Sequence, residues 1–144
     1  MFYRVLLVLA VVFIVPLSGC DGLDGIIGAN TVTVRLINQG DFDVDVTLYY
    51  YDHQEVEEEL LVLLGDEVEY TIGDGNTRTF TQSCDDLQAI MIEDADLQII
   101  GGIGPEANTD VLRDGDDFGC GDTIVFTFDH SDLIFDFEID VDVE

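Results

Sequence analysis

The chain has 144 residues, 47 % of them hydrophobic, and sets 32 Asp and Glu against four Lys and Arg, for a formal charge of −28. Nucleic acids and anionic lipid surfaces are excluded as partners, because both are held through basic patches. The apolar content excludes a disordered chain, which leaves one self-repelling domain that salt or bound cations must screen.

Met1 to Arg4 is a short, weakly positive leader, and Val5 to Leu17 is apolar apart from Pro16. This length suits a signal-peptide core and is too short to cross a membrane, which takes about 20 apolar residues. Pro16 breaks the helix just before Ser18 and Gly19, leaving the extended, uncrowded chain that a signal peptidase needs. Leu17-Ser18-Gly19-Cys20 then matches Leu-(Ala/Ser)-(Gly/Ala)-Cys at every position and resembles the lipobox of bacterial lipoproteins.

That resemblance covers residues 1–20 and implies a processing route, not a fold. Residues 1–19 would be a lipoprotein signal peptide, and the Cys20 thiol would receive a diacylglyceryl group. The chain would be cut before Cys20 and its new amino terminus acylated, for instance with palmitate. The mature protein is then expected outside the cytoplasm, held on the cell membrane by its lipid, since two or three acyl chains anchor durably where one is marginal. In enterobacterial relatives an Asp after the lipidated Cys, as Asp21 is here, favours the inner membrane; inner and outer membrane both stay open. The mature chain keeps three Arg and no Lys against 32 acids, 3 − 32 = −29.

With Cys20 assigned to lipid, Cys84 and Cys120 are left as one pair in an oxidising compartment, so a disulfide is expected. Zinc is unsupported, with two His and no paired Cys spacing.

Residues 20–30 are rich in Gly and Asp without period and read as a flexible tether. The acidic domain is expected over 31–144. Thr31 to Asn38 and Asp43 to Tyr51 alternate apolar and polar residues, the mark of half-buried antiparallel strands, and Asn38-Gln39-Gly40-Asp41 predicts a hairpin between them. Across Gln54 to Leu64, Val56, Leu60, Leu63 and Leu64 fall at helical spacing and Gly65 is a stop, which predicts a short crossover helix, with a strand over 60–64 as the rival. Further strands are expected at Glu67 to Ile72, after a turn at 73–76 at Thr77 to Ser83, and in two apolar runs joined at Glu93-Asp94-Ala95. Gly101 to Gly121 reads as a Gly/Asp loop with a short helical turn near Asn108 to Leu112. Thr123 to Asp129 and Leu133 to Glu144 predict a closing hairpin around His130-Ser131-Asp132, the last strand opposing Phe135, Phe137, Ile139, Val141 and Val143 to a row of acids. Seven or eight strands, one short helix and one disulfide predict an all-β fold, an antiparallel β-sandwich of immunoglobulin or fibronectin type. The chain has no Trp, so the antibody-like core signature is missing.

Chemistry is sparse. Asp114, Asp116, Asp117 and Asp122 lie in a Gly-rich loop and are the candidate calcium ligands, since hard cations take several carboxylate oxygens; the loop lacks the EF-hand register. The acid row of the last strand, with same-face neighbours about 7 Å apart, reads as a solvated face. Gly102-Ile103-Gly104-Pro105-Glu106-Ala107 matches G-x-G-x-x-A but has no long helix after it, so a sharply turning loop explains its glycines. His53 and His130 titrate nearest neutrality, and His130-Ser131-Asp132 reads as turn chemistry, because neighbours in a strand or turn point apart. Of Tyr49, Tyr50 and Tyr51, at least one ring must face away from the core, where it can stack on a sugar or anchor a protein. The expected function is a non-enzymatic lipoprotein of the envelope, a binding, adhesion or structural module. Its partners would be the bilayer, through the acylated N-terminus, and an envelope protein or glycan. A calcium-dependent binding domain using residues 114–122 is the alternative, and an extracytoplasmic hydrolase the third. No cofactor is implied apart from calcium.

Overall fold

The computed structural model describes residues 30–99, 104–130 and 136–144. The expected signal peptide, Cys20, nearly all of the expected tether, Gly102, Ile103, Ser131, Asp132 and Leu133 to Phe135, expected to open the final strand, lie outside the described residues.

Among the described residues, period-two alternation becomes strand. β1 (Thr31–Asn38) buries Val32, Val34 and Leu36, and β2 (Val44–Tyr51) buries Val44, Val46 and Leu48. They are followed by β3 (Asp66–Ile72), β4 (Thr77–Ser83), β5 (Ala89–Leu97), the two-residue strands β6 (Glu106–Ala107) and β7 (Leu112–Arg113), β8 (Thr123–His130) and β9 (Phe137–Val143). One sheet has the order β4-β1-β8-β9; the other runs β3-β2-β5-β6, with β7 also on β5. Their inner faces meet over Leu36, Leu48, Ile90, Ile92, Phe126 and Phe128, all with no exposed surface. The fold is thus an all-β sandwich, and Cys84–Cys120 is a disulfide whose Cα atoms are 5.5 Å apart.

The expected β1–β2 hairpin does not form, because the two strands lie in opposite sheets. Alternation looks the same whether two strands hydrogen-bond or face each other across a core, and here Asn38 decides. It is 1 % exposed, the one buried polar residue among those described. Its Nδ2 donates to the carbonyls of Phe42 (2.7 Å), Ile72 (3.0 Å) and Gly73 (3.2 Å), while its Oδ1 accepts from the Gly40 amide (2.9 Å). These bonds bend residues 39–43 into a corner that carries the chain to the other sheet. The sandwich is also not wholly antiparallel, since β8 runs parallel to β1, with Val34 beside Ile124 and Leu36 beside Phe126. With β1 and β2 apart, the strands divide otherwise than the ABED/CFG split of immunoglobulin constant domains.

The two apolar runs around Glu93 are one strand with a bulge. Thr47 faces Asp94 and Leu48 faces Ile92, so Glu93 has no partner opposite it in β2. The extra residue shifts the phase by one: Ile90 and Ile92 face the core before it, Ala95 and Leu97 after it. No helical turn forms near 108–112. Instead the Thr109 amide donates to the Ile92 carbonyl and its Oγ1 accepts from the Ile92 amide, holding this stretch along β5.

The crossover helix α1 (Glu58–Leu64) forms, and the rival strand over 60–64 does not. Glu58 and Glu59 in its first turn suit the positive end of the helix dipole. It ends at Gly65, a position that must be glycine, since a Cβ there would lie 2.5 Å from the Leu61 carbonyl oxygen and 2.9 Å from that of Tyr50. Against expectation Leu60, Leu63 and Leu64 do not pack inward; of the helix only Leu61 is buried.

β1 begins at the pole where Asn30, Cys84–Cys120, α1 and Glu144 gather, Cys84 donating its amide to Asn30 and Glu144 pairing with Thr123. The 39–43 corner, the 73–76 turn and His130 sit at the other pole. Asn38→Leu is expected to remove the partner of the Phe42 carbonyl and of the Gly40 amide and to cost roughly 2–3 kcal/mol, near the upper end for buried unsatisfied groups. Urea unfolding of the variant beside the parent measures it; equal midpoints would show that the corner forms without the amide.

Candidate functional site

The outer face of the β3-β2-β5 sheet is divided. Its lower half is covered: Tyr49, Ala89 and Met91 point outward yet are buried under Val56, Leu61 of α1 and Val111. This second cluster explains why Ala89 to Ile92 is apolar at every position, since both faces of β5 are covered there. Of the tyrosines, Tyr50 enters the main core and its hydroxyl accepts from Gln82 Nε2 (2.6 Å). Burial and the nearby Asp66 raise its pKa. Tyr49 donates to Glu67 Oε2 (2.5 Å), and this bond, with burial, pushes its pKa up to about 12. Tyr51 stacks on His53 with ring centres 5.2 Å apart. None is a free platform for a sugar.

The upper half is open and acidic. Asp45 of β2 lies opposite Asp96 of β5, which lies opposite Glu106 of β6, so three carboxylates stand side by side across three strands. Asp94 completes the group: one oxygen each from Asp94, Asp96 and Glu106 falls within 4.8 Å of the others. Asp45 is partly satisfied, because Thr71 Oγ1 donates to its Oδ1 (2.6 Å). A shallow groove of about 500 Å³ runs along the row, lined by Asp45, Thr47, Glu69, Tyr70, Thr71 and Asp96. Desolvation first, then the charges of Asp94, Glu106 and Asp45, raise the pKa of Asp96. The Glu93 bulge creates this grouping, because without the phase shift Asp94 and Asp96 would point into the core. The sequence signal was there in Glu93-Asp94-Ala95-Asp96, but it reads as a turn until the bulge is seen.

The 114–122 loop is arranged differently. Asp117 Oδ2 accepts from the Arg113 amide (2.8 Å) and Asp122 Oδ2 from the Gly119 amide (2.7 Å), so these two carboxylates fold the loop. Asp114 is tied through its backbone, bridging to Phe118 and donating to the Gln88 carbonyl. Among the described residues, Asp114, Asp116, Asp117 and Asp122 do not bring three carboxylate oxygens together as Asp94, Asp96 and Glu106 do. Those three would supply three of the six to eight oxygens that calcium takes, water supplying the rest.

The histidines lie at opposite poles. His53 is exposed, its Nδ1 2.7 Å from Asp52 Oδ1. His130 Nε2 accepts the Asp41 amide (3.1 Å), and its ring lies 5.6 Å from Phe42. With Asp129, Asp136, Phe137 and Glu138 it lines a groove of about 420 Å³ that offers no hydroxyl or thiol nucleophile among the described residues. Gly104 is explained by contact alone, because a Cβ there would overlap the Leu97 carbonyl oxygen. Of the last strand, Phe137, Ile139 and Val141 face inward and Glu138, Asp140 and Asp142 face solvent.

A carboxyl group with a raised folded pKa destabilises the fold when ionised, and the cost is relieved as pH falls through that pKa. Asp96→Asn is therefore expected to stabilise at pH 7 and low salt. The gain is about 1 kcal/mol, from like-charge pairs at roughly 0.2–1 kcal/mol each, a rise of a few degrees in Tm. The advantage over the parent should shrink in acid, where Asp96 is protonated, and in high salt. Thermal melts over pH and NaCl check it; a destabilised variant at pH 7 would show that the carboxylate row is not repulsive.

The chain matches no family model and no curated protein sequence. Among solved structures it is similar to an NMR structure of a protein from Eubacterium rectale (TM-score 0.46, 18 % identity, covering 79 % of this chain and 90 % of that one). It is also similar to the T6SS lipoprotein TssJ1 from Pseudomonas aeruginosa (TM-score 0.45, 10 % identity, covering 81 % of this chain and 97 % of that one).

Proposed function

We propose that the protein is an exported, lipid-anchored envelope module of non-enzymatic type, a binding, adhesion or structural component whose partner is an envelope protein or glycan. The observation that carries the proposal is Leu17-Ser18-Gly19-Cys20 at the end of a short apolar run. The Cys84–Cys120 disulfide supports an oxidising compartment. Among the described residues no helix is long and apolar enough to cross a membrane. The placement of His53 and His130 at opposite poles, beside open and strongly acidic surfaces, supports binding over catalysis. A net charge of −29 on the mature chain suits a domain that stays hydrated at high ionic strength.

Membrane-fraction protein is expected to begin at Cys20, with a diacylglyceryl thioether and an acylated amine on the N-terminal peptide. Mass spectrometry of that peptide reads both, and intact soluble protein starting at Met1 with a free thiol at position 20 would end the proposal. Thermal stability is expected to climb steeply from about 0.1 M to 1 M NaCl, where the Debye length falls from about 10 to about 3 Å. If acidity serves screening alone, calcium and EDTA at one fixed ionic strength should give the same midpoint; a calcium-specific rise would restore the cation-dependent reading.

A further inference from the structure

Among the described residues the exposed large hydrophobics are Leu60 (43 % exposed), Leu63 (74 %), Leu64 (56 %) and Val143 (39 %). They are not scattered. The three leucines sit on α1, which follows the end of β2, where Tyr51 lies opposite Ala89. Val143 ends β9 opposite Ile124, near the start of β8. Both places belong to the pole where β1 begins, tied together by Cys84 to Asn30, by Cys84–Cys120 and by Leu87 to Ser83. The other pole shows no residue of this kind among those described.

The same pole receives the chain from the anchor. Asn30 is ten residues from Cys20, so the lipid-bearing residue lies at most about 35 Å of extended chain away. Strands of eight residues put the far pole roughly 25 Å from the near one, and so that much further along the molecule from Asn30. A tether this short makes any contact between the near pole and the bilayer intramolecular, at an effective concentration in the millimolar range, so a weak insertion is sufficient.

We propose that α1 is an interfacial docking element. Leu60, Leu63 and Leu64 enter the boundary between headgroups and acyl chains of the bilayer that holds Cys20, and they set which end of the domain faces the membrane. The inference rests on the lipid-anchor reading above. Charge narrows the surface. Glu55, Glu57, Glu58 and Glu59 lie just before and in the first turn of α1 and are exposed, so an anionic bilayer repels this pole, whereas the ammonium groups of zwitterionic headgroups complement it. A second copy is disfavoured by the same residues, because two such poles would oppose four Glu to four Glu.

The absence of Trp from the chain supplies a clean reporter. Full-length lipidated protein carrying Leu63→Trp is reconstituted into phosphatidylcholine vesicles with brominated acyl chains, and the N-terminal peptide of the same sample is analysed by mass spectrometry. Asp74→Trp, in the exposed 73–76 turn of the far pole, is the control. The Leu63→Trp emission is expected to shift to the blue and be quenched by bromine, and the control to be neither. Adding Leu60→Gln and Leu64→Gln to Leu63→Trp should abolish the quenching while flotation with the vesicles persists, and phosphatidylglycerol should weaken it. An acylated, vesicle-bound protein whose Leu63→Trp is unquenched overturns the docking and leaves the anchor standing. A blue shift without bromine quenching that vanishes on dilution in lipid assigns the leucines to a second copy and also overturns it. Cys20 without lipid in membrane-derived protein removes the anchor, and the docking with it.

Discussion

The architecture depends on one buried amide. Asn38 closes β1 with its side chain turned inward, where an unpaired polar group would be costly, and it is tolerated because its two protons and its oxygen serve four backbone groups. Those groups belong to the 39–43 corner and to the end of β3 with the start of its turn, so one residue joins the crossing between sheets to the turn that crosses back. Everything downstream inherits the choice. Because β2 is committed to the second sheet, β1 is free on both sides, and it takes β4 as one neighbour and β8 as the other, the latter in parallel.

The second sheet is where packing and charge compete. Its inner face meets the core along its whole length, but its outer face is apolar only at the α1 end, where Tyr49, Met91 and Val111 close a second cluster. The Glu93 bulge marks the border. Below it the strand buries both faces; above it the odd positions go inward and the even ones, Asp94 and Asp96, meet Asp45 and Glu106 in the open. The result is a ledge of carboxylates whose repulsion is offset by one hydroxyl, that of Thr71, and by whatever solution supplies. Such a ledge is consistent with a protein working where counterions are plentiful.

The two poles are unlike. One carries the chain entry, the disulfide, the C-terminal residue and every exposed large hydrophobic among the described residues; the other carries turns, the Asn38 corner and His130. The disulfide joins the end of β4 to the lead-in of β8, the two neighbours of β1, and so reinforces the sheet at the pole of chain entry. The bridge contributes about 3–4 kcal/mol through loop entropy.

Residues alone determined the alternating strands, the short helix and its glycine stop, the class of fold and the cysteine pair, because alternation, helical spacing and cysteine parity are local or countable properties; the two-residue strands β6 and β7 carry no such period and read as loop. They also carried Leu17-Ser18-Gly19-Cys20, whose resemblance to a lipobox is read from a linear string. Which strands would pair was decided only in three dimensions. Val32-Thr33-Val34 and Val44-Asp45-Val46 offer the same stripe to a hydrogen-bonded neighbour and to a facing sheet, and the difference lies in four bonds made by Asn38 to residues up to 35 positions away. The leucines of α1 kept their helical spacing yet found one partner surface too few, since Leu61 is the one helix residue that joins the buried cluster of Val56, Met91 and Val111. The carboxylate ledge needed a bulge, and a bulge is an irregularity of pairing that appears only once two strands are set side by side.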